Sequence, residues 1–362
     1  MKTRAIINTQ ALTHNLGVVR AFAPHCRVLA VVKANAYGHG VTGLLPSLQQ
    51  HADALAVARL EEAQQLRDTH YQGRLMLMCG VSNNAELSEA IALQLDIVVH
   101  DPKHLSLFAD YAYHAPQPTT LWLKMDSGMH RLGFMPQEYA SAFQILKSLP
   151  WCKEIIGMTH FSCADESKKN APEKNTTQQQ IDCYEHYTQH LMLDDHSLAN
   201  SAAIMAHPAA HHGWLRPGLM MYGISPLENT AHNLQVVMQL QAQVIGTRTI
   251  PAGEATGYNQ RWRAKRESHL ALISAGYADG YPITALNQSV VAVDGVRAPV
   301  VGRVSMDTIA IDCTDLAEKP VVGSYVELWG NTISVNEVAA AAGSISYQLL
   351  TAVSSRVPRI YC

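Results

Sequence analysis

Eight short apolar runs, separated by amphipathic segments, fill the first two thirds of this 362-residue chain. They lie at 28–33 (VLAVVK), 54–58 (ALAVA), 74–79 (RLMLMC), 95–99 (LDIVV), 119–124 (TTLWLK), 155–160 (IIGMTH), 196–199 (HSLA) and about 214–222. The intervening ARLEEAQQLRD and SNNAELSEAIALQ have helical spacing, and Ser82, the asparagine after it and Glu86 supply N-capping chemistry. Strand-length runs that alternate with helices need crossover connections, and therefore pair in parallel. Eight units over about 230 residues fit a closed (β/α)8 barrel better than an open sheet, although counting alone leaves the open sheet standing.

After about residue 233 the pattern changes. VVMQLQAQVIGTRTI, HLALISAG, SVVAVDGVRAPVVG, TIAIDCTDL and SYVELWGN are strand-like, and the Asp-Gly pair of VAVDGVRAPV signals a hairpin. One short helix, SVNEVAAAAG, interrupts them. The expected fold is thus a barrel over 9–232 followed by a mainly β domain over 233–362, with residues 1–8 pairing with the second. The polar stretch DESKKNAPEKNTTQQQ reads as a solvated loop leading into a helix.

A net charge of −3 without a basic stripe argues against nucleic acid or an anionic membrane as partner. The amino-terminal MKTRAIINTQALTHNL carries no apolar leader core, and no run of eighteen apolar residues occurs, so a cytoplasmic location is expected. The seven scattered cysteines form no CxxC pair and read as reduced, mostly buried thiols. No metal site is expected from the eighteen histidines.

Polar residues cluster where the apolar runs end. Lys33 closes the first run inside AVVKANAYGHG; Lys124 closes the fifth and opens KMDSGMHRLGF; His160 closes the sixth in THFSCADE. Asn200 and Ser201 follow the seventh in ANSAA, and Arg216 and Gly218 sit in the eighth, RPGLMMYG. Each alone has a plain structural explanation. Lys33, taken alone, reads first as a lysine with its stem in the core and its ammonium in water; the alternative is an amine placed for covalent chemistry with a carbonyl. Together they stand at the level where barrels of this kind build their active sites.

The motifs AVVKANAYGHG, KMDSGMHRLGF, THFSCADE, ANSAA, RPGLMMYG, GYADGYP, VGRVSMD and RVPR, in this order along nearly the whole chain, resemble those of the alanine racemase family. The resemblance implies a pyridoxal 5'-phosphate enzyme with an N-terminal barrel and a C-terminal β domain. It implies that Lys33 holds the cofactor covalently, with Tyr37, Ser201 and the Gly218–Leu219 backbone around the phosphate and Arg216 facing the pyridine nitrogen. A pyridine nitrogen opposite arginine draws less electron density from the substrate carbanion, which suppresses side reactions.

Racemisation removes a Cα proton from one face and returns one to the other, so two bases are needed. By the resemblance these are Lys33 and Tyr258, with His160 and Arg216 linking the tyrosine to the cofactor ring. Arg131 is implied to bind cofactor and substrate, Lys124 to carry a CO₂-derived carbamate, and Tyr277 and Met306 to contact substrate. In the family Tyr258, Tyr277, Met306 and Asp307 serve the other subunit of a head-to-tail dimer, so a homodimer with shared sites is implied. Two positions depart from the pattern. Ser355 stands where several relatives place a tyrosine, and Asn259 stands where glycine is common. Alanine racemisation, for peptidoglycan or catabolism, is the expected activity; Ser355 keeps a serine or broad-specificity racemase as the alternative. A decarboxylase of similar architecture and a non-catalytic pyridoxal-phosphate-binding protein are the other classes, the latter disfavoured by the β domain and its tyrosine.

Overall fold

The computed structural model describes residues 3–111, 117–165, 176–227, 233–285 and 288–362. The chain divides into two compact units: one of Leu12–Ala34 and Leu44–Gln235, the other of Met1–Ala11, Asn35–Gly43 and Val236–Cys362.

In the first unit the strands are β2 (Arg27–Val31), β3 (Ala54–Val57), β4 (Leu75–Leu77), β5 (Leu95–Val99), β6 (Thr119–Lys124), β7 (Cys152–Met158), β8 (Asp195–Ser197) and β9 (Trp214–Leu215). They form one eight-stranded sheet in which sequential neighbours from β2 to β8 pair in parallel and β2 also pairs with β9. The Asn200–Arg216 bridge and the Arg216 amide bond to the Ala199 carbonyl (3.0 Å) close the ring between β8 and β9. β3 and β5 are buried at every residue, as expected for strands covered on both faces, so they do not alternate; β3 is wholly apolar, and the one charged residue of β5, Asp96, is paired with Arg74 (2.6 Å). Helices α3 (Val41–His51), α4 (Leu60–Asp68), α5 (Asn84–Ala92), α6 (Pro102–Tyr111), α7 (Pro136–Lys147) and α8 (Thr176–Thr188) lie between successive strands, and α9 (Ser201–Ala206) precedes β9.

In the second unit β1 (Thr3–Ile7) lies between β10 (Met238–Ile250) and β18 (Arg359–Tyr361), antiparallel to the first and parallel to the second. Strands β13 (Ser268–Ile273), β14 (Val290–Val293), β15 (Val296–Val301), β16 (Ile309–Asp312) and β17 (Tyr325–Trp329) complete an eight-stranded sheet, and β10 also pairs with β13. A separate two-stranded ribbon joins β11 (Ala255–Thr256) and β12 (Trp262–Arg263). The β14–β15 hairpin turns at Asp294 and Gly295, with φ of 48° and 80°; positive φ at both central residues is what a two-residue turn needs to match strand twist.

Several details differ from the sequence reading. The cap of α5 is Asn83, whose side chain accepts from the Glu86 amide, while the Glu86 carboxylate accepts from the amide and hydroxyl of Ser82. The eighth run is strand only at Trp214–Leu215; Pro217 cannot donate to a ladder, and Leu219–Tyr222 turns as a 3₁₀ helix. Beyond residue 233 the described residues include two α-helices, α10 (Val335–Ala341) and α11 (Ser346–Ala352), where one was expected. All seven cysteines are free, but only Cys26 and Cys313 are buried, because most of the others fall in loops, on helix surfaces or at a chain end. Residues 166–175 of the polar stretch and residues 228–232, beside the expected domain boundary, lie outside the described residues.

Candidate active site

Lys33 stands two residues beyond β2 and starts a single helical turn, α2 (Lys33–Tyr37), of unusual hand. Ala34, Asn35, Ala36 and Tyr37 all have φ between 51° and 54°, the left-handed region that costs ordinary residues energy. The chain's own polar groups hold it there. The Glu62 carboxylate accepts from the amides of Ala34 (2.5 Å), Ala58 (2.8 Å) and Arg59 (3.1 Å), and the Asn35 side chain accepts from the Val41 amide (2.9 Å). Burial, and secondarily the Arg131 guanidinium, hold the Lys33 ammonium below the usual lysine range, against the opposing pull of Cys79 and Glu62. A buried amine of this kind is readily uncharged.

Four further cations or potential cations interact with Lys33 or with one another. Lys124, at the end of β6, is pushed down to about 8 by burial and by Arg216 and Arg131. Burial together with Arg216, Lys124, Arg131 and Lys33 lowers the His160 imidazole well below its ordinary value. Arg216 is 2% exposed and is fastened on one side: its Nη1 donates to the carbonyl and hydroxyl of Ser197 (2.7 Å each), and its Nη2 to the carbonyls of Thr159 (2.6 Å) and Leu198 (3.1 Å). Nη2 also lies 3.3 Å from His160 Nδ1. A neutral imidazole accepts there, which places its own proton on Nε2. Arg131 belongs to a loop pinned at both ends, since the Phe134 amide donates to the Lys124 carbonyl and the Asp126 amide to the Phe134 carbonyl (2.9 Å each). Next to this cluster the Ser201 hydroxyl accepts from the amides of Gly218 (2.9 Å) and Met220 (3.3 Å), at the start of the buried 3₁₀ turn that Leu219 opens. Lys33, Lys124, Arg131, His160 and Arg216 are thus brought together electrostatically, and Ser201, Gly218 and Leu219 form a second, adjoining group.

The remaining expected residues lie in the other unit, described by itself. Tyr37 is buried against Tyr347, with ring centroids 5.7 Å apart. Tyr277 and Met306 occupy neighbouring loops, because the amides of Tyr277 and Ala278 donate to the carbonyls of Ser305 and Met306 (3.1 Å each). Arg356 clamps those loops through Asp279 (3.0 Å) and Asp307 (2.7 Å). Tyr258 starts the turn in which Asn259 has φ 59°, and asparagine is the residue after glycine that best tolerates this conformation. The conformation is thus one that asparagine and glycine can both adopt.

Known proteins match this chain over nearly its whole length. A sequence profile described as the N-terminal domain of alanine racemase matches residues 7–226, and the C-terminal profile matches 237–361. The biosynthetic alanine racemase of Pseudomonas aeruginosa is 43% identical over 360 residues, 99% of this chain and 98% of that protein. A crystal structure of a biosynthetic alanine racemase from the same organism aligns with a TM-score of 0.94 at 42% identity, covering 100% and 99% of the two chains. The chain belongs to the alanine racemase family. An alanine racemase from Bartonella henselae, solved with covalently bound pyridoxal phosphate, aligns over 100% of both chains with a TM-score of 0.90 at 28% identity.

Alanine racemases depend on pyridoxal phosphate, and the residues here fit that group. Arg216 Nε is a buried polar atom with no partner, the single donor nitrogen of that guanidinium left over after Nη1 and Nη2 are satisfied, and is suited to a ring-nitrogen acceptor. The excess of positive groups around Lys33 suits a phosphate, a phenolate oxygen and a substrate carboxylate. Sequence reasoning missed two residues that shape this alanine racemase site, Glu62 and Ser197. Glu62 lies inside an ordinary amphipathic helix and Ser197 inside an apolar run, so neither spacing nor composition marks them.

Proposed function

We infer that this chain interconverts L- and D-alanine with two bases, Lys33 on one face of the substrate Cα and Tyr258 of a partner subunit on the other. The observation that carries this reading is the neutral-prone Lys33 amine amid Arg131, Lys124, His160 and Arg216 at the carboxyl ends of the barrel strands. When bound, pyridoxal phosphate supplies an electron sink for the pair left at Cα and a carbon to which Lys33 attaches. Lys33 Nζ takes the proton on its face as the neutral amine and returns one as the ammonium; the Tyr258 oxygen serves the other face, taking a proton when deprotonated and returning one as the hydroxyl. Arg216 turns Nε toward the ring and its Nη2 toward His160 Nδ1, leaving His160 Nε2–H to hold the tyrosine oxygen. Arg131 orients the substrate carboxylate, Tyr277 and Met306 of the partner subunit line the substrate space, and Tyr37, Ser201, Gly218 and Leu219 hold the phosphate. Lys124 as a carbamate sets an anion against Arg131 and relieves the repulsion among the cations.

Tyr258, Tyr277 and Met306 are 67%, 42% and 52% exposed, large side chains suited to cover by a second copy, which supports a homodimer with shared sites. The division into a barrel over 9–232 and a β domain over 233–362, and a cytoplasmic location with all seven cysteines free, belong to the same reading. A serine-accepting pocket is the second reading, favoured by the small exposed Ser355 beside Arg356, which holds Asp307 next to Met306. Borohydride reduction of the purified protein followed by peptide mapping tests the first reading. Pyridoxyl label on Lys33, with conversion of either alanine isomer, is expected; label on Lys124 or on no lysine contradicts it. Turnover of serine at a rate comparable with alanine would select the second.

A further inference from the structure

The strongest unused group in the barrel unit is a buried amide on α8. Gln180 is 1% exposed and satisfies both hydrogens and both lone pairs of its side chain. Oε1 accepts from the amide (3.0 Å) and hydroxyl (3.2 Å) of Ser162, and Nε2 donates to the His160 carbonyl (3.2 Å) and to Ser127 Oγ (3.3 Å). The orientation is forced, since the Ser162 amide can only donate and the His160 carbonyl only accept. The polarity then propagates. Thr159 Oγ1 donates to the Met125 carbonyl (3.0 Å), so the 2.7 Å contact of Ser127 with Thr159 runs from Ser127. One directed chain thus leads from Gln180 through Ser127 and Thr159 to the end of β6.

These bonds tie together two loops that carry the expected chemistry: the one after β6, with Ser127 four residues before Arg131, and the one after β7, with His160 and Ser162. The Thr159 carbonyl meanwhile accepts from Arg216. We propose that Gln180 is a positioning residue for the reaction, fixing His160 and the Arg131 loop relative to each other from outside the substrate space. The proposal rests on the two-base reading above, in which His160 and Arg131 act.

Displacement of reacting groups by about 1 Å can cost up to about 10²-fold in rate. Gln180→Met in the cofactor-loaded enzyme should therefore lower kcat about tenfold or more, with KM for alanine within about twofold and cofactor absorbance retained. Gln180→Glu sets a carboxylate oxygen against the His160 carbonyl at neutral pH, and regains a donor when protonated. Its rate relative to the parent should rise as pH falls, a dependence that a packing role does not produce. In an Arg131→Ala background, Gln180→Met should add much less than its loss in the parent, because residues acting through one another are not additive. A Met variant that folds, keeps its cofactor and matches the parental kcat overturns the proposal, as does full additivity with Arg131→Ala. Should the Met variant not fold, a pH-independent ratio for Gln180→Glu overturns it. If Arg131→Ala and His160→Ala themselves cost no rate, the site reading fails instead, and the two failures are told apart.

Discussion

Lys33 can act as a base only while uncharged, and its surroundings set how much of it is. Burial is the largest influence and lowers its pKa, Arg131 lowers it further, and Glu62 works the other way. Glu62→Gln should therefore lower it again. In cofactor-free protein, the midpoint of the pH dependence of pyridoxal phosphate uptake should lie below about 10.4, the ordinary lysine value, and move to lower pH in Glu62→Gln. A midpoint that moves up in the variant would contradict the electrostatic account. Burial and the neighbouring Arg216 and Arg131 push Lys124 down to about 8, so its neutral, CO₂-reactive form should grow between about pH 7 and 9. Labelling with ¹³C-bicarbonate should give a carbamate resonance that grows across this range and disappears in Lys124→Arg; its absence at every pH would leave Lys124 an unmodified amine. Tyr258→Phe should reduce proton abstraction from one alanine isomer by about 10²–10⁴ while leaving cofactor attachment intact. Equal, undiminished rates from both isomers would assign that face to another group.

At the scale of elements, the left-handed turn after Lys33 is the costliest piece of backbone in the site, at about 1–2 kcal/mol for each non-glycine residue. Within the second unit, the His39 ring bonds to the carbonyls of Ala36 (2.9 Å) and Tyr37 (3.0 Å), and Arg359 bonds to the Gly38 carbonyl (2.9 Å). Ala34 is exposed, so glycine there removes the steric conflict without losing buried surface. Ala34→Gly should raise the stability measured by urea unfolding by about 1 kcal/mol, and Ala34→Val should lower it. A destabilised glycine variant would mean that the turn is not strained. Element identity was largely legible in sequence, because fully buried parallel strands leave unbroken apolar runs and their exits leave polar residues. The hand of this turn was not, since KANAY contains nothing that demands positive φ. Nor was the strand end at Leu215 or the helix α11, where local propensity gives way to packing.

At the scale of the whole molecule, the proposed site residues divide between the two compact units, with Lys33, Lys124, Arg131, His160 and Arg216 in one and Tyr37, Tyr258, Tyr277 and Met306 in the other. The family motifs mark most of these positions in the sequence. Glu62, Ser197 and Gln180 escaped because their importance lies in the backbone groups they hold, which sequence does not display. The central claim is that Lys33 of one subunit works with Tyr258 of its partner, and mixing two inactive variants tests it most directly. Lys33→Ala and Tyr258→Phe are combined in equal amounts, and subunit exchange is verified by mass. Random exchange makes about half the dimers mixed, each with one intact and one doubly damaged site. Activity should therefore recover to about a quarter of the parental value, whereas no recovery after verified exchange would contradict the shared site.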